Sequence, residues 1–129
     1  VVTRVMKALN ERRICMNGAK IVMLGIAYKE DIEDMRESPA LKVLEHLEKN
    51  LAHVSVVDPY VSQFEWEGKI QETVPLSNKL LGEADLILIT TGHKKGIDYS
   101  LVVKHAGLIF DTKNTLGKMG FVEKNIIQL

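Results

Sequence analysis

Two cations lie in one polar segment after the first predicted strand, and they could bind a phosphate group. Lys29 and Arg36 are seven residues apart, and Ser38-Pro39 beyond them is typical of a helix that begins with serine as its N-cap. Basic side chains beside a helix N-terminus would suit a pyrophosphate. The acidic residues of the same segment could equally neutralise both cations in a solvated turn: Glu30, Asp31, Glu33, Asp34 and Glu37.

The same segment does not carry the usual signature of a dinucleotide site. Residues 25–37 read GIAYKEDIEDMRE, which lacks G-x-G-x-x-G and is long for the tight turn of that motif. Asp58 resembles the acid that binds a ribose, but it follows Gly25 by 33 residues, against the usual ~20. The residues therefore disfavour a standard NAD-binding domain, and a nucleotide-binding relative of it stays open.

The other candidate residues have simpler interpretations. Asp58 could hydrogen-bond a ligand hydroxyl, but Asp58-Pro59-Tyr60 favours an Asx-turn. Residues 90–95, TTGHKK, favour a solvated basic loop, and His93 has no metal-ligand spacing around it. Cys15 is interpreted as structural because no histidine partner is evident, and Trp66 as a packing residue.

The composition limits the classes of protein that fit. The chain has 129 residues, of which 46% are hydrophobic and 26% charged, so it is typical of one globular domain. Seventeen basic residues balance seventeen acidic ones, which leaves no overall field to hold nucleic acid or an anionic membrane. A single cysteine suits a reducing compartment. We expect a soluble cytoplasmic domain with neither nucleic acid nor a membrane as its partner.

Short apolar runs alternate with helical patterns along the chain. The predicted strands are residues 20–25, 53–57, 85–91, 108–110 and 126–127, and the predicted helices lie at 1–9, 38–51, 78–84 and 99–105. Residues 60–75 are expected to be irregular, with a surface excursion at 63–68 and a short edge strand at 73–74. Near-continuously apolar strands between helices indicate a parallel α/β sheet covered on both faces, which binds ligands at the carboxyl ends of its strands.

The second predicted helix has an apolar face and a defined end. Its apolar residues at helical spacing are Ala40, Leu41, Leu44, Leu47 and Leu51. Glu45 and Lys49 are spaced for an i,i+4 ion pair, and Asn50 is expected to supply the left-handed turn that ends the helix.

The start of the chain favours a piece of a longer polypeptide. Val1 is not methionine, and Val2, Val5, Met6 and Leu9 already follow helical spacing. Removal of the methionine by processing is the alternative.

Four sequence segments together resemble the C-terminal, UDP-binding domain of UDP-glucose/GDP-mannose dehydrogenases. They are GIAYKEDIEDMRESPAL at 25–41, DPYV at 58–61, HKKGIDY at 93–99 and DTKN at 111–114. The resemblance runs from about residue 4 to the end of the chain, and the last two segments are most similar to those of UDP-N-acetylhexosamine 6-dehydrogenases.

The resemblance implies a Rossmann-like three-layer domain with a mostly parallel sheet of about five to six strands, preceded by a linker helix. Residues 1–16 would end the helix from a central dimerisation region, and residues 17–129 would bind the UDP-sugar. An N-terminal domain elsewhere in the polypeptide would bind NAD, and the intact enzyme would be a homo-oligomer. Such enzymes oxidise the sugar C6 alcohol to a carboxylate by two hydride transfers through a cysteine thiohemiacetal.

The resemblance also assigns individual residues, none of them catalytic. Tyr28 and Lys29 fall where family members contact the nucleotide-sugar, and Arg36 falls where an arginine reaches NAD. Lys113 stands at a position that usually holds an arginine on the diphosphate side of the substrate, and lysine cannot form the same bidentate contact. Cys15 lacks the glycine-rich surroundings of the family's nucleophile.

Two other classes of protein are alternatives to this family. A phospho-receiver domain has similar length and architecture, and Thr90 and Lys113 partly fit its pattern, but Asp31 and Asp34 lie too far beyond the first strand. A stand-alone NAD-binding regulatory module would need the missing glycine motif.

Overall fold

A five-stranded parallel sheet forms the centre of the computed structural model, which describes residues 1–27 and 38–128. Its strands are β1 (Lys20–Leu24), β2 (His53–Val57), β5 (Leu86–Ile89), β6 (Ile109–Asp111) and β7 (Ile126–Gln128). Their order is β2-β1-β5-β6-β7, and every neighbouring pair is parallel. The sheet confirms the predicted α/β class.

Two apolar layers sandwich the sheet because alternate side chains of each strand point to opposite faces. Ile21 and Met23 pack on one face with the helices α1 (Val2–Glu11) and α2 (Pro39–Lys49). Val22 and Leu24 pack on the other with α3 (Asn78–Glu83), α4 (Tyr99–His105) and α5 (Thr115–Lys118). Within the described residues, no helix is long and apolar enough to cross a membrane.

Helix α1 is part of this packed domain. Val5 and Leu9 have no exposed surface and belong to the core beneath α2. Arg4 lies over the ring of Phe110 at 5.3 Å and donates a hydrogen bond of 3.1 Å to the carbonyl of Gln128. The helix ends at Glu11, so the predicted division at residue 16 falls in the connection to β1.

The expectation for residues 60–75 is wrong in its details. The segment forms an antiparallel hairpin of β3 (Gln63–Trp66) and β4 (Lys69–Glu72), in place of an irregular excursion followed by a strand at 73–74. Glu67 and Gly68 both have positive φ, which gives a two-residue turn suited to the twist of a hairpin. Glutamate at that turn position gives no sequence signal, so the hairpin was missed. The Nε1 atom of Trp66 donates to Glu48 at 2.7 Å and ties the hairpin to α2.

The end of α2 also differs from the expectation. Asn50 has φ −92°, and Leu51 takes the left-handed conformation at φ 68°. Leu51 is therefore 59% exposed and does not continue the apolar face. The predicted Glu45–Lys49 ion pair is confirmed at 2.8 Å.

Candidate functional site

The order in which strands join the sheet reverses its direction at β1. From β1 the chain connects to β2 on one side of the sheet, and it later returns to β5 on the other side. A parallel sheet opens a crevice at such a reversal, at the carboxyl ends of the strands. Residues 25–27, 58–60, 90–95 and 112–114 lie at this edge, which we call the carboxyl edge.

The 25–27 segment leaves β1 at this edge, and side chains bind each of its carbonyls. The hydroxyl of Ser38 donates to the carbonyl of Ile26 at 2.6 Å, and that of Thr91 donates to the carbonyl of Ala27 at 2.6 Å. Thr90 donates to the carbonyl of Gly25. The carbonyls are thus held from α2 and from the loop after β5. Ser38 is the N-cap residue of α2, as predicted, but it makes no side-chain bond within that helix.

Asp58 holds the N–H groups of the same segment. Its Oδ2 atom accepts hydrogen bonds from the N–H of Ile26 at 2.9 Å and of Ala27 at 3.1 Å. Its Oδ1 atom accepts from the N–H of Tyr60 at 2.8 Å, which confirms the predicted Asx-turn. The carboxylate therefore fixes two loops at once.

His93 completes the hydrogen-bonding of Asp58. Burial alone would raise the pKa of Asp58, but hydrogen bonds from His93 and from backbone N–H groups outweigh it and hold the pKa below its usual range. An ionised carboxylate has no proton to donate. The Nε2 atom of His93, 3.0 Å from Oδ2, must therefore carry the proton of this bond.

The solvated loop expected for residues 90–95 is wrong for two of its five side chains. Thr91 and His93 are buried, whereas Lys94 and Lys95 are exposed as predicted. The ring of Tyr60 lies 4.8 Å from that of His93, and the hydroxyl of Tyr99 donates to the carbonyl of His93 at 2.5 Å. Asp58, which is hydrogen-bonded to the His93 side chain, precedes it by 35 residues, so no local pattern could reveal the pair.

A second buried carboxylate shapes the loop that carries Lys113. Asp111 accepts from the N–H of Lys113 at 3.1 Å and from the N–H of Leu116 at 2.8 Å. Gly92 lies beside this loop, because a Cβ atom there would stand 3.6 Å from that of Lys113. Lys113 is itself exposed. Sequence reasoning missed the role of Asp111.

The remaining predicted site residues fall elsewhere. Tyr28, Lys29 and Arg36 lie outside the described residues. Cys15 is exposed in the connection before β1, at the opposite, amino edge of the sheet.

The described loops at the carboxyl edge present mainly positive charge. Their exposed charged residues are Lys94, Lys95, Asp98 and Lys113. The two buried carboxylates of this edge are committed to hydrogen bonds within the protein. A cleft of about 310 Å³ opens beside Asp58 and Pro59, while a wider one of about 670 Å³ lies against the hairpin. Lys113 gives the described part of this edge an exposed positive charge that would suit an anion.

Comparison with known families identifies the kind of domain that contains this edge. Residues 22–118 match the model of the UDP-glucose/GDP-mannose dehydrogenase family, UDP binding domain. The chain belongs to this family. The match includes the carboxyl edge with Asp58, His93 and Lys113.

Individual members of the family resemble the chain over most of its length. It is 34% identical over 118 residues to a UDP-N-acetyl-D-mannosamine dehydrogenase of Methanococcus aeolicus, covering 90% of this chain and 26% of that protein. The structure of a UDP-D-ManNAc dehydrogenase from Pyrococcus horikoshii is 27% identical with a TM-score of 0.72, covering 96% of this chain and 28% of the other. An NDP-N-acetyl-D-galactosaminuronic acid dehydrogenase from Methanosarcina mazei is 25% identical with a TM-score of 0.76, at 99% and 27% coverage. The chain thus spans about a quarter of the length of these relatives.

The described residues on either side of segment 28–37 differ from the tight turn of a dinucleotide fold. Such a fold places its pyrophosphate on the N–H groups of a helix that directly follows the first strand. Here β1 ends at Leu24 and α2 begins only at Pro39, which has no N–H, and the Ser38 hydroxyl is bonded to Ile26. In the described part of the chain, α2 therefore does not directly follow β1.

The family match also separates this domain from a phospho-receiver. The strand order β2-β1-β5-β6-β7 is the 2-1-3-4-5 order of flavodoxin-like folds, which receivers share, so topology alone does not distinguish the two. Asp58, at the end of β2, is buried and bonded to three backbone N–H groups and His93. The receiver alternative has no support from the comparisons.

Proposed function

We propose that the chain is the UDP-sugar-binding part of an NAD-dependent dehydrogenase that oxidises the C6 alcohol of a UDP-N-acetylhexosamine or UDP-hexose to the uronate. The observation that carries this proposal is the carboxyl edge, with its anchored 25–27 segment and the exposed Lys113, in a member of the UDP binding domain family. The names of the relatives favour an N-acetylhexosamine as the sugar.

Lys113 is proposed to face the diphosphate. It is exposed on a loop whose backbone is fixed by Asp111, so its Cα position is defined before any ligand arrives. An ammonium group contributes a point charge and lacks the bidentate geometry of the arginine that the family resemblance implies for this position. The contact should therefore tolerate small changes in phosphate orientation.

Tyr28 and Lys29 are proposed to contact the nucleotide-sugar. They follow Ala27 directly, where the backbone is held by Asp58 and Thr91. Because the backbone before Tyr28 is already ordered, less conformational entropy is lost when a binding residue there contacts its ligand.

The cofactor and the nucleophile are proposed to come from the rest of the polypeptide. Two NAD molecules, bound there one after the other, would each accept one hydride, and Arg36 of this chain would reach the bound cofactor. Residues 1–16 would link to a central dimerisation region and residues 17–129 would form the UDP-sugar-binding unit of a cytoplasmic homo-oligomer. Cys15 lies at the opposite edge of the sheet from Lys113, so the chain alone should form no NADH from UDP-N-acetylmannosamine.

Calorimetric titration of the 129-residue chain with UDP and with NAD tests the proposal. We expect UDP to bind and NAD to bind more weakly. Lys113→Ala should weaken UDP binding by about ten- to a hundredfold, since a charge-assisted contact is worth about 1.5–3 kcal/mol. Lys69→Ala, which removes an exposed lysine from the hairpin, is the matched control and should leave the affinity unchanged. A preference for NAD over UDP would refute the assignment.

A further inference from the structure

We propose that His93 is a positioning residue of the UDP site: its bond to Asp58 keeps that carboxylate aimed at the N–H groups of Ile26 and Ala27. The proposal rests on the proposed function, because it concerns how the site is aligned. His93 itself is fully buried, so a ligand in solvent cannot touch its side chain.

The geometry of Asp58 gives the first step of the argument. One oxygen, Oδ2, accepts three hydrogen bonds, from Ile26, Ala27 and His93, at 2.9, 3.1 and 3.0 Å. The carboxylate can rotate about its Cβ–Cγ bond, and rotation would break the two backbone bonds together. The third donor comes from the loop after β5, whereas Asp58 follows β2, so the carboxylate is also held from a loop other than its own.

The placement of His93 gives the second step. Its backbone is fixed by the Tyr99 hydroxyl on its carbonyl and by its own N–H, which donates to the carbonyl of Thr91 at 3.0 Å. Thr91 in turn binds the carbonyl of Ala27. Two side chains of one loop thus hold the 25–27 segment: the imidazole acts through Asp58, and the threonine bonds to Ala27 directly.

The consequence concerns the direction in which the chain leaves β1. With all three N–H groups and all three carbonyls of residues 25–27 hydrogen-bonded, the backbone is held as far as Ala27. Ala27 is the last described residue before Tyr28 and Lys29. Loss of the His93 donor should therefore weaken UDP binding although His93 does not touch the ligand.

A pair of amide variants separates positioning from a merely structural role. The side-chain nitrogen of His93→Gln reaches about as far as Nε2 and can still donate to Asp58, whereas that of His93→Asn is one methylene too short. His93→Leu removes the donor altogether, and the Gln and Asn pair decides the question if the leucine variant does not fold. Leu47→Ala is the control for lost stability, because Leu47 is fully buried near the end of α2, where the chain leads into the start of β2 and away from the carboxyl edge.

Two readouts are needed in the 129-residue chain. The first is the amide proton resonances of Ile26 and Ala27 without ligand, which report the charge-assisted bonds to Asp58. The second is the dissociation constant for UDP from calorimetry. His93→Asn should shift both resonances and weaken UDP binding by about tenfold, while His93→Gln should stay within about twofold of the wild type. Leu47→Ala should change neither readout.

The proposal is overturned if His93→Asn leaves both resonances in place, if it moves them without changing the UDP affinity, or if His93→Gln behaves like His93→Asn. A wild-type chain that binds no UDP would instead refute the proposed function. In that case the amide resonances still decide whether His93 holds the segment.

Discussion

The Nε2 atom of His93 lies 3.0 Å from Oδ2 of Asp58, and neither side chain is exposed to solvent. Asp58 follows β2 and His93 follows β5, and these two strands flank β1 in the sheet. The pair therefore spans the end of β1 and closes over the segment that leaves it. This contact joins the loops after β2 and β5 and holds the backbone between them at the carboxyl edge.

Replacement of this carboxylate should make stability less dependent on acid. Asp58→Asn is expected to lower the free energy of unfolding at pH 7 by about 1.5–3 kcal/mol, because charge-assisted bonds are lost. The pKa of Asp58 is held below its usual value in the folded state, so its contribution is present above the unfolded pKa of about 3.9 and is lost as the pH falls through the folded pKa. Urea unfolding of both proteins at pH 7 and pH 3 measures the difference, which should shrink at the lower pH. A difference that grows on acidification would show that Asp58 is not stabilising as an anion.

The sequence predicted the five strands of the parallel sheet and the edge at which they end, because short apolar runs alternate with helical patterns along the chain. It did not predict the Asp58–His93 pair, since the two residues are 35 positions apart and each has a simple local interpretation. Asp58 does form the expected Asx-turn, but with only one of its two oxygens. Long-range pairing uses the other oxygen, and no local pattern records it.

Gly25 should tolerate no side chain. It has φ +99°, and a Cβ atom there would overlap the side chain and the backbone nitrogen of Thr91. Gly25→Ala is therefore expected to cost more than the ~1 kcal/mol of an unfavourable backbone conformation.

Gly18→Ala provides the matched control in the same unfolding experiment. Gly18 also has positive φ, at +85°, but its Cβ position is open. The difference between the two variants isolates the overlap with Thr91. Equal losses of stability would mean that β1 and β5 do not approach as closely as described.

Helix α1 should contribute to the stability of this domain. Leu9→Ala removes a fully buried side chain from the core and is expected to cost about 2–5 kcal/mol in the free energy of unfolding. Lys7→Ala, on the exposed side of the same helix, should change it by less than about 0.5 kcal/mol. Chemical denaturation measures both. A neutral Leu9→Ala would indicate that α1 only passes by the domain.

The local sequence did not predict the hairpin turn or the residue at which α2 ends. Glu67 and Leu51 both take left-handed backbone conformations that their side chains do not favour. Tertiary contacts supply the reason at the hairpin, where Trp66 is bonded to Glu48 on α2. Glycine or asparagine at these positions would have been visible in the sequence.

Lys29 and Arg36 are predicted to have different roles, which the resemblance assigns to the nucleotide-sugar and to NAD. In the 129-residue chain, Lys29→Ala should weaken UDP binding by about ten- to a hundredfold, as expected for a charge-assisted phosphate contact. Arg36→Ala should have little effect there and serves as the control for loss of one positive charge. Calorimetry with UDP decides between them. Loss of binding in Arg36→Ala alone would reverse the assignment.

The most direct test of the central claim, that UDP binds at the carboxyl edge, is a map of backbone amide resonances during titration with UDP. The account predicts that the changes cluster at residues 25–27, 58–60, 90–95 and 111–115, with the hairpin at 63–72 unchanged. Changes confined to the hairpin and its wider cleft, with the amides of the carboxyl edge unmoved, would contradict it.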